Sequence, residues 1–290
     1  MDNSRKFPLF LNNFWIKIIA IVTMTFDHIG VMIQGQPAYE AFRIIGRISL
    51  PLFCFLIAEG ALHTKSFGKY ALRLGIMASA ISIAVIVCEV SPSLPSLRNG
   101  RNIFIDLLLG ATAIYCLKQK QWYIKALAAL PLMFGIASFI ATALESCGCH
   151  GHILWFPFFL RTQYGWYSIT MIIGFFFATI LAKFFISYLS GLTGISEENY
   201  KDSDIERHAI NIISVLIFAA ISALLFFIGK SMPLNYVYWR LDIQLYALIA
   251  GAFILLYNGR RGYNKKWFQY GSYLYYPLHM LIIYSIFALI

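Results

Sequence analysis

Ten residues separate Lys17 from His28 in an apolar segment, IKIIAIVTMTFDHIG at 16–30, and Asp27 sits immediately before the histidine. Imidazole titrates close to neutral pH, so His28 has the chemistry to take a proton from an amine or a hydroxyl. It could equally carry an acyl group covalently, and the spacing does not separate these routes. Further on, Arg43 and Arg47 are four apart and share a helical face, as do Glu59 and His63. A guanidinium can hold an oxyanion or a substrate's anionic group. Adjacent helical residues point about 100° apart. Asp27 is therefore expected to partner Arg43 or Arg47 rather than to orient His28.

These groups lie in a chain built for lipid. Of 290 residues, 60% are hydrophobic and 12% charged, and the mean hydropathy is +0.70. That composition excludes an ordinary soluble domain. Apolar runs near 14–34, 44–64, 70–90, 102–118, 122–143, 166–190, 208–229, 240–258 and 268–289 predict nine spans. Each is about 17–25 residues long, enough to cross roughly 30 Å of hydrocarbon. The expected fold is all-α, a polytopic transmembrane helix bundle forming one domain over 1–290. HILWFPFFL, at 152–160, is too short to span and carries Pro157. It is expected to be re-entrant or interfacial, and a tenth span would arise only if 152–163 crossed as a broken helix.

Depth then groups the ionisable residues. At 1.5 Å per residue, Lys17 lies about 5 Å into the first span and His28 about 21 Å in. A second helix returning from outside would bring Arg43 and Arg47 level with Asp27 and His28, and Glu59 level with Lys17. Asn102 and Asp106 open the fourth span on one face, Arg240 and Asp242 open the eighth, and His279 follows Pro277 in the last. Tyr276 lies three residues before His279 on nearly the same face. Structural explanations compete at each position. Lys17 could snorkel, the arginines could anchor at the interface, Asp106 and Arg240 could be a structural pair, and His279 could be a packing residue. His28 is the hardest to explain that way, because an ionisable group at such depth costs free energy and has an acid beside it.

The remaining signals are weaker. A net charge of +10 is spread over loops on both faces, which fits topology and anionic lipid rather than nucleic acid. Asp27-His28 interrupts the first apolar run, and no small-residue cleavage site follows it, so a cleaved signal peptide is not expected. Of the five cysteines, Cys54, Cys88 and Cys116 fall in spans. Cys147 and Cys149 share ESCGCHGH with His150 and His152. Only one residue separates those two cysteines, which suits a loop disulfide or plain thiols better than zinc, and no metal is expected.

The stretch FRIIGRISLPLFCFLIAEGALHTKSFGKYALRL at 42–74, with IKIIAIVTMTFDHIG before it, resembles the TraX family. Echoes at NIFIDLLLGATAI, QYGWYS and YLYYPLHML extend the likeness. The family's namesake acetylates a conjugal pilin at its amino terminus. TraX proteins in turn look like the wider superfamily of membrane acyltransferases, whose first helix carries a basic residue, ten others and a histidine. Lys17 and His28 match that spacing. The resemblance implies an acyltransferase of the bacterial cytoplasmic membrane. It would move acetyl from cytoplasmic acetyl-CoA to an envelope protein amine or a glycan hydroxyl. It implies catalysis by His28 with Asp27, Arg43 and Arg47. The donor would be held by Lys17, Glu59, His63, Lys65, Lys69 and Arg73, and the acceptor by Asn102, Asp106, Tyr276 and His279. An ion-coupled secondary transporter is the competing class, since midplane charges and a broken helix suit one. No internal repeat supports it. A non-catalytic assembly protein would leave His28 without a role.

Lys and Arg number 14 on one set of loops against 7 on the other, which predicts a cytoplasmic amino terminus. Cysteine labelling from either side of the membrane checks this: residues 65–73 should react only from the cytoplasm.

Overall fold

The computed structural model describes residues 8–91, 101–146, 155–201, 203–231 and 241–289. Every regular element among them is helical. They are α1 Asn13–Met32, α2 Tyr39–Gly46, α3 Ser49–His63, α4 Phe67–Val90, α5 Ile103–Leu117, α6 Trp122–Ala126, α7 Ala129–Ser146, α8 Trp166–Thr193, α9 Glu197–Tyr200, α10 Asp204–Ser231, α11 Leu241–Gln244, α12 Ala250–Leu255 and α13 Lys266–Ala288. Six stretches among the described residues are long and apolar enough to cross a membrane. These are α1, α2 with α3, α4, α6 with α7, α8 and α10.

The other three runs expected to span differ for physical reasons. Helix α5 has 15 residues and so covers about 22 Å, short of a full hydrocarbon layer. The run at 240–258 is divided into α11, a 3-10 turn at Leu245–Ile249 and α12. Helix α13 has 23 residues, but Gln269, Ser272, His279 and its tyrosines dilute its apolar character. The 155–160 part of HILWFPFFL holds a turn and a 3-10 helix at Phe158–Leu160, so it does not cross as a long helix. Cys147, Cys149, His150, His152 and Arg240 lie outside the described residues, as does the side chain of Asp242.

The chain divides into two compact units, with boundaries inside α3, α8 and α10. The first comprises Met1–Leu56, Phe177–Ala220 and Leu245–Ile290. Its helix α1 starts at Asn12, whose side chain accepts from Trp15 N at 3.2 Å. The approach to α1 is fixed by backbone bonds from Leu11 N to Leu256 O at 3.0 Å, Asn258 N to Leu11 O at 2.8 Å and Asn13 N to Arg260 O at 2.8 Å. Asn211 of α10 donates to the Tyr257 carbonyl at 2.7 Å. The Tyr257 ring lies between Phe55 and the Arg207 guanidinium. Helices α1 and α2 pack against each other, and α13 packs on α1. Pro51 explains why α2 and α3 are separate: it has no N–H for the carbonyl of Arg47, so the helix breaks at 47–48 and restarts at Ser49.

The second unit comprises Ile57–Phe176 and Ile221–Gln244. Its organising group is Asp106, fully buried in the first turn of α5. Its carboxylate accepts from Gln163 N at 2.7 Å, Tyr164 N at 3.0 Å and Ser168 Oγ at 2.6 Å. Asn102 caps α5 through Phe104 N and donates to the Ala78 carbonyl at 2.7 Å. Thr162 bonds Ser138 of α7 through both its N–H and its hydroxyl, and Arg161 pairs with Glu145. Gly165 turns the chain into α8 with φ 57°, against the carbonyl of Gly135. Irregular backbone survives when buried only if its polar groups are satisfied by protein.

Asp106→Ala would strand two backbone N–H groups and a hydroxyl. Each unsatisfied buried donor costs about 1–3 kcal/mol. Thermal melting in detergent should show a marked loss for Asp106→Ala. Asp106→Asn, which keeps one acceptor oxygen, should fall between it and the wild type.

Candidate functional site

Thr25 and His28 are three residues apart on α1, while Tyr275 and His279 are four apart on α13, so each pair shares one helical face. The two faces meet. Thr25 and Tyr275 hydroxyls are 2.8 Å apart, and His28 Nδ1 lies 2.6 Å from His279 Nε2. The two imidazoles meet edge to edge, with centroids 4.8 Å apart and planes 26° apart, and His279 stacks in turn on Tyr275. Its own Nδ1 reaches back to the Tyr275 carbonyl at 2.8 Å. Tyr276 presents its ring edge-on to both histidines. His279 is 3% exposed, so it faces protein and not lipid.

Asp27 faces α2. One oxygen, Oδ1, takes Arg43 at 2.9 Å and Arg47 at 2.5 Å. Arg43 also donates to the Asp27 carbonyl at 3.3 Å, and Arg47 Nε to the Arg43 carbonyl at 3.3 Å. Arg47 is 5% exposed, so its charge is matched by the carboxylate rather than by water. Two guanidiniums thus share one carboxylate beside His28. Arg43 Nε, buried, has no hydrogen-bond partner among the described residues, so the pair keeps donor capacity.

Two glycines permit this approach. A β-carbon on Gly46 would overlap the Asp27 carboxyl group, and one on Gly30 would sit 3.0 Å from Arg43 Cδ. Residue type and spacing gave no sign of Gly46, Thr25 or Tyr275 as part of the site. The available signal was the placement of Gly46 between the two arginines, and of Thr25 and Tyr275 one turn before the two histidines.

The inner residues divide between the units. Lys17 is in the first, with Nζ 5.5 Å from the centre of the Phe268 ring. Glu59 and His63 are in the second: His63 Nδ1 is 2.9 Å from the Glu59 carbonyl and 3.8 Å from its carboxylate. Glu59 is buried and His63 exposed. Lys65 lies in the short connection from α3 to α4, and Lys69 and Arg73 occupy the first two turns of α4, where Arg73 Nε reaches the Lys69 carbonyl. Asn102 and Asp106, expected to face the acceptor, are enclosed in the hydrogen-bond network of the loop at 161–168.

Helical structure throughout the described residues, several apolar helices long enough to cross a membrane and a largely buried cluster of acid, arginines and histidines define a multi-pass membrane protein with a polar cluster among its helices. The TraX protein family model matches residues 13–190, and the chain belongs to that family. A probable fimbrial assembly protein, FimC of serogroup H1, from Dichelobacter nodosus is 41% identical over 63 residues, or 21% of this chain and 26% of that protein. An uncharacterized protein of Rickettsia prowazekii strain Madrid E is 48% identical over 40 residues, 14% of this chain and 15% of that one. The chain thus aligns with about a quarter or less of the length of these curated relatives. No solved structure matches.

Gly46→Ala should push the Asp27 carboxylate off its arginines and destabilise the protein by about 1–3 kcal/mol, the usual penalty of overpacking. Gly75→Ala in α4, where a β-carbon meets open space, should be neutral or slightly stabilising. Comparing the two melting midpoints in detergent checks the close approach of α1 and α2.

Proposed function

We propose that this protein is an integral membrane acyltransferase that moves an acetyl group from cytoplasmic acetyl-CoA to an acceptor at the cell envelope. In this reading the helices lie in the bacterial cytoplasmic membrane and the amino terminus is cytoplasmic. The observation that carries the reading is the seat of His28: a histidine in an apolar helix, held by a second histidine, beside an arginine pair anchored on Asp27. Such a cluster is costly in lipid, and catalysis gives it a use. Membership of the TraX family and a short similarity to a probable fimbrial assembly protein support an envelope acceptor, either a protein amine or a glycan hydroxyl.

The chemistry follows from the groups present. The acceptor's nitrogen or oxygen attacks the thioester carbonyl carbon while His28 takes its proton. The arginine pair stabilises the oxyanion as it develops. The carbon–sulfur bond then breaks, and the coenzyme A thiolate leaves with the proton that His28 held. Lys65, Lys69 and Arg73 supply partners for the coenzyme's phosphates. Tyr276 and His279 close the acceptor side, while Asn102 and Asp106 act by holding the loop at 161–168 in place.

The test uses purified protein in lipid nanodiscs with acetyl-CoA and envelope extracts as acceptor, reading thiol release. Wild type should release thiol only with acceptor present. His28→Ala, with an unchanged melting midpoint, should be slower by roughly 10²–10⁴. A His28→Ala protein that turned over at the wild-type rate would end the assignment.

A further inference from the structure

We infer that His279 is a positioning residue that fixes the tautomer of His28, so that Nε2 of His28 is the atom that accepts the proton. The inference rests on the acyl-transfer reading for its chemistry, but its geometry stands alone. A carbonyl oxygen only accepts, so the bond from His279 Nδ1 to Tyr275 O requires the proton on His279 Nδ1. Neutral imidazole carries one N–H, which leaves His279 Nε2 as an acceptor. That nitrogen lies 2.6 Å from His28 Nδ1, so His28 must donate from Nδ1. The Nε2 of His28 is then unprotonated and basic.

Three features make this chain of donors directional. The Tyr275 carbonyl belongs to the helix carrying His279, four residues earlier, so the anchor is covalently tied to the ring it orients. Pro277 lies between them and has no N–H for the carbonyl of Tyr273, which loosens the helix just before this anchor. Tyr275 and Tyr276 hold the His279 ring by stacking and edge contact. On the other side, Asp27 is occupied by Arg43 and Arg47. The usual orienting carboxylate is therefore replaced by a neutral histidine.

The step balances through this arrangement. The acceptor's X–H proton passes to His28 Nε2 as X attacks the thioester carbon. The imidazolium formed keeps its Nδ1–H on His279 Nε2, which shares the positive charge. The thiolate then takes the proton from Nε2, and His28 returns to its starting tautomer.

Solid-state NMR of the protein in lipid, with all six histidines labelled with nitrogen-15, reads the tautomer without reference to activity. The His28 signals are assigned by their loss in His28→Ala. Wild type should show His28 protonated on Nδ1 and bare on Nε2. His279→Leu should move the proton to Nε2, while His279→Gln, whose side-chain oxygen still accepts, should keep it on Nδ1. In thiol-release assays His279→Leu should lose about 10²-fold or more in kcat with an unchanged KM for acetyl-CoA, and His279→Gln should retain most of the rate. His28 protonated on Nε2 in the wild type would overturn the inference. So would a tautomer unchanged in His279→Leu. If no acceptor supports turnover, the transferase reading fails, while the NMR result still decides the tautomer.

Discussion

One carboxylate oxygen holds the site in place. Asp27 Oδ1 takes both Arg43 and Arg47, and each of these ions would cost roughly 2.5–3.5 kcal/mol if left alone at the centre of a membrane helix. Their mutual attraction offsets that cost only if α1 and α2 stay close, and the missing side chains of Gly30 and Gly46 let them. The contact also fixes the rotation of α1. With Asp27 turned toward α2, the residue after it, His28, is turned about 100° away, toward α13. The ion pair thus determines which helix the histidine meets.

The same economy of polar groups governs the second unit. There the chain leaves helical geometry between α7 and α8, and every such departure exposes backbone donors. Asp106 takes two of them, from Gln163 and Tyr164, and the Ser138 hydroxyl takes that of Thr162. A carboxylate that reads in the sequence as a candidate substrate ligand is here the floor of a loop. Both units use buried acids, one against cations and one against amides.

Much of this could be read before any coordinates. The long apolar helices follow from run length, and the pairing of Asp27 with Arg43 and Arg47 followed from depth and from the 100° step between neighbours. Other features resisted for identifiable reasons. Run length does not show where a helix breaks, and Pro51 divides α2 from α3 inside what reads as one span. Polar residues spread through α13 hide its length from a hydropathy average. Helical spacing put Tyr276 and His279 on one face of the last span, but did not show the bond from His279 to His28, because spacing leaves rotation about each axis open. The layer of Lys17 with Glu59 rests on depth alone and carries the same ambiguity. Gly46 offered only its place between the two arginines, since its importance lies in an atom it lacks.

The contact between the two histidines joins residues 251 positions apart. The groups that surround His28 on the α2 side lie within about twenty residues of it in the chain, so they come together as soon as the first hairpin enters the membrane. Its other neighbour is synthesised many helices later. Contacts of such long sequence separation form late in folding. A nascent chain therefore carries its arginine pair complete but its histidine without a directing partner. A base aimed in this way exists only once α13 has been inserted and packed against α1. On the acyl-transfer reading, reactivity would arrive together with the finished bundle.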